Sequence, residues 1–292
     1  MEIDEIIKSL MKKNYHEFVI IQESCKGIVM KAFDEENKLV LLKTFYKKEN
    51  LYSFITNPKS NRTIPTELYF LEHLSQYDYI PKLKKYLDEN NWSTVVMEYL
   101  GGDWMDLGKY SKTFPHEKLI KTIIRNLITI VYKMSEIGYY HRDIKPANIM
   151  VNRVTLEVKL IDLEDLFYTN FYIPVCESAL GTLGFQSPET YSGAIYNLKL
   201  SLVWNIGCVA YYCNELKPPF NSIGSTLYCD FPPMKVSSNL AQFFIMDCIQ
   251  INPKERIKFE DLLNHDWLYE NKYNPIEITK SLGKFLIKMI SI

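Results

Sequence analysis

The sequence lacks a cysteine pattern that would mark a metal site or a disulfide framework. Six cysteines are spread over 292 residues, and no two of them form a CxxC pair. Structural zinc sites need clustered Cys and His ligands, and disulfide scaffolds are typical of short secreted domains. We therefore expect buried or idle thiols in a reducing compartment. This favours a cytoplasmic protein, with the nucleus as the alternative location.

The sequence also lacks a secretory signal and a long apolar run. The N-terminal stretch MEIDEIIKSLMKKNYHEF starts acidic and amphipathic, without a basic region followed by an apolar core. The most apolar segment, LKLSLVWNIGCVAYYC at 198–213, is interrupted by Ser201 and Asn205. A membrane span needs about 18 or more apolar residues. We expect this segment to be a buried core helix, and the protein to be neither secreted nor membrane-bound.

Excess positive charge is also missing. The chain has 34 Lys and Arg against 35 Asp and Glu, which gives a formal net charge of -1. A protein that binds nucleic acid generally should be clearly basic, so no direct nucleic-acid contact is expected. Apolar residues make up 47% of the chain, enough for a sizeable core. The length fits one large domain or two small lobes packed together.

Hydrophobic periodicity divides the chain into a strand-rich and a helix-rich part. Strands are predicted at 16–23, 27–33 and 38–45, in KLKKYLDE and WSTVVMEYL, and later at 149–152 and 156–161. Residues 47–61, which contain Asn57-Pro58, are predicted to be a loop, and a helix is predicted at 64–74. After GGD at 101–103, helices are predicted in FPHEKLIKTIIRNLITIVYKMSEIGY and at 198–215, 238–250, 259–265 and 276–290.

The segment YYHRDIKPANIM at 139–150 carries the clearest chemistry. It places Asp143, Lys145 and Asn148 in a short loop between a long helix and a strand. At this spacing the three side chains can converge on a phosphoryl group and its metal: Asp accepts a hydroxyl proton, Lys neutralises charge and Asn ligates a cation. Each residue alone is an ordinary turn residue. The whole H-R-D-x-K-x-x-N pattern is far less expected by chance.

With this motif, the sequence resembles the eukaryotic protein kinase family over roughly residues 17–268. The resemblance implies a bilobal protein kinase fold of the α+β class, with a β-rich N-lobe and a helical C-lobe. The implied organisation is an N-terminal extension at 1–16, a kinase domain at 17–268 with lobes at 17–100 and 104–268, and a C-terminal tail at 269–292. The segment GTLGFQSPE at 181–189 fits the family, and Glu189 is expected to form a structural ion pair with Arg256.

The resemblance also implies the catalytic and metal-binding residues. Asp143 would be the catalytic base, and Lys145 has the position found in serine/threonine kinases. Asn148 and Asp162 would hold the metal, Mg²⁺ with Mn²⁺ as the alternative. The cofactor would be ATP, and protein substrates would be the other partners of an expected monomer.

Nucleotide binding is implied for a larger set. Lys43 in VLLK resembles the lysine that holds the α- and β-phosphates, with Glu67 as its ion-pair partner and Glu72 as the second choice. VVMEYL resembles the hinge, in which the backbone of Glu98 and Leu100 would meet adenine. The implied nucleotide-binding residues are Ile21, Gln22, Glu23, Ser24, Cys25, Lys26, Gly27, Ile28, Val29, Lys43, Glu67, Met97, Glu98, Leu100 and Met150.

Three positions depart from the family pattern. The phosphate loop QESCKGIV at 22–29 keeps Gly27 but has Gln22 and Ser24 in place of glycines, which predicts weaker nucleotide affinity. Glu164 replaces the glycine of the D-F-G triplet, and we expect the site to tolerate it. Leu202 replaces an aspartate that ties down the catalytic loop. In this last feature the sequence resembles the PIM serine/threonine kinases and some kinases of large DNA viruses.

The substrate-facing residues implied by the resemblance are acidic. Asp103, assisted by Asp106, stands where basophilic kinases read an arginine upstream of the target hydroxyl, so basic residues are expected there. Thr169, Ser178 and Thr182 are the hydroxyls of the activation segment. Thr182 is expected to contact the catalytic loop, in the substrate-binding region, and not to be a phosphorylation site.

Two functions remain open on the sequence alone. The first is an active serine/threonine protein kinase, since no chemical role is vacant: the chain has Lys43, Glu67, Asp143, Lys145, Asn148 and Asp162. The alternative is a pseudokinase or scaffold that binds partners with weak or no phosphotransfer. It is suggested by the altered phosphate loop, Glu164 and Leu202. A small-molecule kinase is disfavoured by the complete segment at 181–189 and by Arg256.

Overall fold

The computed structural model describes residues 3–47, 54–58, 60–169, 175–176, 181–193 and 195–268. The predicted helix at 276–290 and the activation-segment hydroxyl of Ser178 lie outside these residues. The chain divides into two compact units. Unit 1 comprises residues 1–102 and 159–164, and unit 2 comprises residues 103–158 and 165–292. The first division falls between Gly102 and Asp103.

Unit 1 is built on an antiparallel sheet. Its elements are α1 (Ile3–Met11), β1 (His16–Ser24), β2 (Gly27–Phe33), β3 (Leu39–Tyr46), β4 (Phe54–Asn57), β5 (Arg62–Pro65), α2 (Thr66–Leu74), β6 (Leu83–Asp88) and β7 (Trp92–Glu98). The main sheet has five strands in the order β1-β2-β3-β7-β6. Strands β2, β3 and β7 lie inside the sheet, and β1 and β6 form its edges.

One face of this sheet forms the core of unit 1. Alternation along β2 buries Ile28, Met30 and Ala32, while the residues between them are only half-buried. A strand points successive side chains to opposite faces, so the buried residues share one face. Ile6 and Leu10 of α1 belong to the same core cluster. Their spacing of four places both on one side of the helix.

The prediction of a loop over 47–61 was wrong for residues 54–57. These residues form β4, which pairs antiparallel with β5 in a small hairpin. The amide of Asn61 donates to the carbonyl of Asn57 at 2.8 Å, and Asn61 has a φ of 53°. Asn tolerates this left-handed conformation better than most residues. The Asn57-Pro58 signal therefore belongs to the turn of a hairpin whose strands are short.

Unit 2 is mainly helical. Its elements are β8 (Trp104–Asp106), α3 (Leu107–Thr113), α4 (Glu117–Glu136), β9 (Tyr139–Tyr140), β10 (Ile149–Asn152), β11 (Val158–Leu160, whose last two residues belong to unit 1), β12 (Phe167–Tyr168), β13 (Val175–Cys176), β14 (Tyr196–Asn197), α5 (Leu198–Glu215), α6 (Ile223–Leu227) and α7 (Asn239–Cys248). The α+β fold predicted from the sequence is confirmed. The helix predicted at 259–265 is a 3₁₀ helix at Phe259–Asn264, and β8 and α3 were not predicted.

Helix α5 is the centre of unit 2, and its residues 201–211 are all buried. The side chain of Asn197 begins the helix by accepting hydrogen bonds from the amides of Lys199 and Leu200. The prediction of a buried core helix at 198–213 is confirmed. None of the helices in the described part of the chain is long and apolar enough to cross a bilayer.

Candidate active-site residues in the two units

In unit 1, Lys43 is the centre of a cluster of charges. Its Nζ lies 2.6 Å from Oε2 of Glu67, 2.9 Å from Oδ1 of Asp162 and 3.2 Å from Oε1 of Glu164. Strand β3 points Leu42 into the core and Lys43 to the opposite face. Glu72 is exposed on α2, so Glu67 is the partner of Lys43 and Glu72 is not.

Helix α2 supplies Glu67 from a buried position. Leu71 and Leu74 follow Glu67 by four and seven residues, and all three side chains are buried. This spacing is typical of one helix face. The packing of the two leucines therefore fixes the face that carries the Glu67 carboxylate.

Opposing effects set the pKa values of this pair. Burial acts to lower the pKa of Lys43, but the carboxylates of Glu67, Asp162 and Glu164 outweigh it and raise that pKa above its ordinary value. Burial raises the pKa of Glu67, and the Lys43 ammonium opposes this rise. Lys43 thus contacts all three acids, and losing it would leave Glu67 beside two like-charged neighbours.

The three acids could also receive a metal. One carboxylate oxygen from each of Glu67, Asp162 and Glu164 lies within 4.8 Å of the other two. Oxygen ligands of this kind are the ones that Mg²⁺ takes in proteins. The donor set in unit 1 therefore fits the metal that the sequence assigns to Asp162.

The predicted phosphate loop is a tight hairpin between β1 and β2. Ser24 pairs with Gly27, and the amide of Lys26 donates to the Ser24 hydroxyl oxygen at 3.2 Å. A Cβ at Gly27 would clash with the carbonyl oxygen of Thr44 on β3, which explains why this glycine is present. Within the described segment 22–26 no residue has a positive φ. Gln22 and Ser24, which stand where the family has glycines, therefore cause no backbone strain there.

Side chains of the predicted nucleotide-binding set in this hairpin point in different directions. Gln22, Glu23, Ser24 and Cys25 are exposed, as is Ile21 at 52%. The side chain of Ile28 is in the core of unit 1, so the structure does not present it to a ligand. Lys26 reaches Glu164, with its Nζ 3.4 Å from Oε2 of that residue. No sequence pattern indicates that Glu164 contacts Lys26 or Lys43, because 138 and 121 residues separate it from them.

The predicted hinge lies at the end of β7. Met97 is buried, and Leu100 is half-buried. The amide of Glu98 donates to the carbonyl of Lys82 at 2.8 Å, and its Oε2 accepts a hydrogen bond from Lys159 Nζ at 2.7 Å. The amide of Glu98 therefore binds the residue that precedes β6, and its side chain binds a lysine of β11. Met150, the remaining predicted nucleotide contact, lies in unit 2 on β10, paired with Asp106.

In unit 2, Asp143 is the centre of a hydrogen-bond network. Its Oδ2 accepts from Lys145 Nζ at 2.6 Å and from Asn148 Nδ2 at 3.0 Å, and its Oδ1 accepts from the Thr182 hydroxyl at 2.7 Å. Lys145 Nζ also donates to Thr182 Oγ1 at 2.6 Å. The structure thus brings together the predicted catalytic residues Asp143 and Lys145 and the predicted metal ligand Asn148. It also confirms that Thr182 contacts the catalytic loop, as the sequence predicts.

Local structure positions each member of this network. A 3₁₀ helix at Pro146–Asn148 follows Lys145, and Asn148 also donates to the carbonyl of Asp143 at 3.0 Å. Because the amide nitrogen of Asn148 makes these bonds, its side-chain oxygen is the atom that can ligate a cation. Gly181 has a φ of 110°, and a Cβ there would lie 2.9 Å from the carbonyl of Arg142. This glycine allows Thr182 to reach Asp143.

The segment after Thr182 is anchored to α5. Oε1 and Oε2 of Glu189 accept from the Arg256 guanidinium at 2.6 and 2.7 Å, which confirms the predicted structural ion pair. Asn205 Nδ2 donates to the carbonyl of Phe185 at 2.6 Å. Leu202 is buried in the same helix. Helix α5 therefore binds this segment directly through the Asn205 amide, and Arg256 links Glu189 to the helix by also donating to the carbonyl of Leu200 at 2.8 Å. The helix does so although it lacks the aspartate that the family has at position 202.

The predicted substrate-reading acids have partners in unit 2. Asp103 Oδ1 lies 3.0 Å from Nε of Arg153 in an exposed ion pair. Asp106 Oδ1 accepts from the amide of Lys109 at 2.9 Å, so Asp106 is the N-cap of α3. Thr169 is buried, which makes it a poor phosphorylation site.

Comparison with known proteins gives one family for almost the whole described chain. The family model of the protein kinase domain matches residues 15–268. The chain is 29% identical over 281 residues to serine/threonine-protein kinase ppk11 of Schizosaccharomyces pombe. This alignment covers 90% of this chain and 84% of that protein. It is 28% identical over 238 residues to serine/threonine-protein kinase 1 of African swine fever virus. This second alignment covers 77% of this chain and 75% of that protein.

A longer relative matches only through a part of its length. The chain is 31% identical over 217 residues to citron Rho-interacting kinase of Mus musculus. This match covers 68% of the chain and 10% of that protein, so the chain spans only about a tenth of it.

Proposed function

Because the chain belongs to the protein kinase family, we propose that it is an ATP-dependent serine/threonine protein kinase. The observation that carries this proposal is the network around Asp143, in which Lys145, Asn148 and Thr182 all contact one buried carboxylate. The names of the relatives from Schizosaccharomyces pombe and African swine fever virus support the serine/threonine class.

In the proposed reaction, the oxygen of a serine or threonine hydroxyl bonds to the γ-phosphorus of ATP, and the bond from this phosphorus to the bridging oxygen of ADP breaks. Asp143 accepts the hydroxyl proton. A carboxylate oxygen can accept two hydrogen bonds, so Oδ1 can take the substrate hydroxyl beside Thr182. Lys145 supplies positive charge to the transferring phosphoryl group.

The proposal assigns the nucleotide phosphates to Lys43 in unit 1. Mg²⁺, or Mn²⁺ in its place, would be held by Asp162 and Asn148 and would neutralise phosphate charge during transfer. We place the protein in a reducing compartment, the cytoplasm or the nucleus, acting as a monomer on protein substrates.

We further propose a preference for basic residues upstream of the target hydroxyl. Asp103 is an exposed acid whose present partner is an arginine, Arg153. Since exposed ion pairs contribute only about 0–1 kcal/mol, a substrate arginine can exchange with Arg153 at little cost. A positional peptide library tests this: selection for Arg or Lys at position −3 is expected, and indifference at that position would reject it.

The transfer itself is tested with labelled ATP and a protein substrate. Wild type should label serine and threonine, and Asp143→Asn, which keeps the size of the side chain, should not. The second candidate function is a pseudokinase, favoured by the contacts of Glu164 with both lysines. Equal labelling by wild type and Asp143→Asn would favour the pseudokinase.

A further inference from the structure

Glu164 contacts two lysines of unit 1, one through each carboxylate oxygen. Oε1 lies 3.2 Å from Nζ of Lys43, and Oε2 lies 3.4 Å from Nζ of Lys26. The three side chains differ in exposure: Lys26 is 59% exposed, Glu164 19% and Lys43 18%. A single, largely buried carboxylate therefore joins the tip of the β1–β2 hairpin to the lysine of β3.

The contact resembles what a phosphate would make. A carboxylate and a phosphate both offer several anionic oxygens to ammonium donors. Lys26 lies at the tip of the predicted phosphate loop, and Lys43 is the lysine assigned to the α- and β-phosphates. Glu164 thus contacts both Lys43, to which the proposed function assigns the phosphates, and Lys26, which belongs to the predicted nucleotide-binding set.

Anionic oxygens already crowd the nitrogen of Lys43. Three carboxylates lie within 3.2 Å of it, and Asp162 accepts a hydrogen bond from it at 2.9 Å. A phosphate oxygen that approaches this ammonium group must therefore compete with these carboxylates. Glu67 is the most buried of the three and has the shortest contact, at 2.6 Å. Asp162 is the residue that the proposed function assigns to the metal. Glu164, which has the longest contact, is therefore the carboxylate that we expect a phosphate oxygen to displace.

We propose that Glu164 competes with the nucleotide phosphates for Lys26 and Lys43, and that it thereby sets the affinity of this protein for nucleotide. The inference rests on the proposed function only in assigning phosphates to Lys43. It makes Glu164 an affinity-determining residue. It also means that the negative charge of Glu164 weakens the attraction between Lys26 and phosphate.

The test is a double-mutant cycle in which calorimetry measures the binding of ADP and of adenosine in the presence of a chelator. Glu164→Gln keeps the size of the side chain and removes its charge. We expect it to bind ADP about three- to tenfold more tightly than wild type, as the loss of one or two partly exposed ion pairs predicts. Adenosine has no phosphate, so its dissociation constant should not change.

Lys26 provides the second arm of the cycle. Lys26→Met should weaken ADP binding more in the Glu164→Gln background than in wild type, because only there is the Lys26 ammonium released to the phosphate. Glu35→Gln, an exposed residue of the β2–β3 turn in the same unit, is the matched control for loss of one negative charge. It should leave both dissociation constants unchanged.

The proposal is overturned if Glu164→Gln binds ADP no more tightly than wild type, or if adenosine shifts by the same factor. Additive effects of the two substitutions on ADP binding would also overturn it. Glu164→Ala provides a second variant, and thermal unfolding shows that each one folds. This test measures binding, so its result is independent of the transfer assay with Asp143→Asn. The ADP affinities of the variants can be compared even if the protein transfers no phosphate. If the comparison contradicts the role of Glu164, the proposed phosphotransfer still stands.

Discussion

The charge cluster around Lys43 and the network around Asp143 engage their central groups in different ways. In unit 1, one cation faces three carboxylates, so the cluster has an excess of negative charge. In unit 2, one carboxylate accepts from an ammonium, an amide and a hydroxyl, and its charge is closely matched. The first cluster is held by a balance of charges, and the second by the geometry of directed hydrogen bonds.

This difference indicates which changes each unit tolerates. When one exposed member of a charge cluster is replaced, the affinity of the cluster for an ionic ligand changes only a few-fold. A network that fixes a reacting carboxylate loses function when the direction of a single bond changes, because small displacements of reacting groups are costly. We therefore expect changes at the more exposed members of the Lys43 cluster to tune nucleotide affinity, and changes in the Asp143 network to reduce transfer.

The largest effect within unit 1 is expected from Lys43→Met. It leaves the buried Glu67 without its cation, and breaking a buried pair in this way costs about 3–5 kcal/mol of unfolding free energy. Phosphotransfer should fall by about 100-fold or more if Lys43 holds the phosphates. Chemical unfolding and initial rates measure the two effects. Lys85→Met, an exposed lysine of β6, is the control and should change neither.

The same variant predicts a pH dependence. Burial raises the pKa of Glu67, and Lys43→Met removes the group that opposes this rise. A carboxyl whose pKa is raised in the folded state stabilises the fold in its protonated form, and this stabilisation is lost as pH rises through the folded pKa. The stability deficit of Lys43→Met should therefore shrink as pH falls from 8 toward 5. A deficit that grows on acidification would contradict the assignment to Glu67.

An intermediate effect is expected from Thr182→Val in unit 2. This change keeps the shape of the side chain but removes a hydroxyl that bonds Asp143 and Lys145. The turnover number should fall about tenfold, since a positioning bond to the base is lost, while the dissociation constant of ADP should not change. Thr113→Val, whose hydroxyl bonds only within α3, is the matched control. A change in ADP affinity alone would place Thr182 outside the transfer step.

The smallest effect on turnover is expected from Glu164→Gly, which restores the residue that the family has at this position. Turnover should stay within about a few-fold of wild type, because Glu164 lies in the charge balance of unit 1 and carries no step of transfer. Steady-state kinetics at saturating ATP measures this. A large gain in turnover would instead show that the native residue restrains catalysis itself.

Much of this arrangement could be predicted from local patterns. Alternation gave the strands of the main sheet, and helical periodicity gave α4 and α5. The Asp143 network follows from one short motif, because its members are near each other in sequence, apart from Thr182. The hairpin of β4 and β5 was missed because its strands have only four residues each, and the Asn-Pro signal within it is common to loops.

The contacts of Glu164 could not be predicted in the same way. Its partners Lys26 and Lys43 are distant in sequence, and only the folded unit shows that one carboxylate reaches both. The N-cap role of Asp106 could not be predicted for a related reason. An acid before a helix is a frequent N-cap, but α3 was not recognised, so its capping role was not visible.

The measurement that tests the central claim most directly compares binding and transfer in Asp143→Asn. If the network of unit 2 governs transfer and the cluster of unit 1 governs nucleotide affinity, this variant should bind ADP within about twofold of wild type and transfer phosphate at least about 1,000-fold more slowly. Titration calorimetry and labelled-phosphate transfer on the same preparation give both values. Transfer at the wild-type rate, or loss of ADP binding together with transfer, would contradict the account.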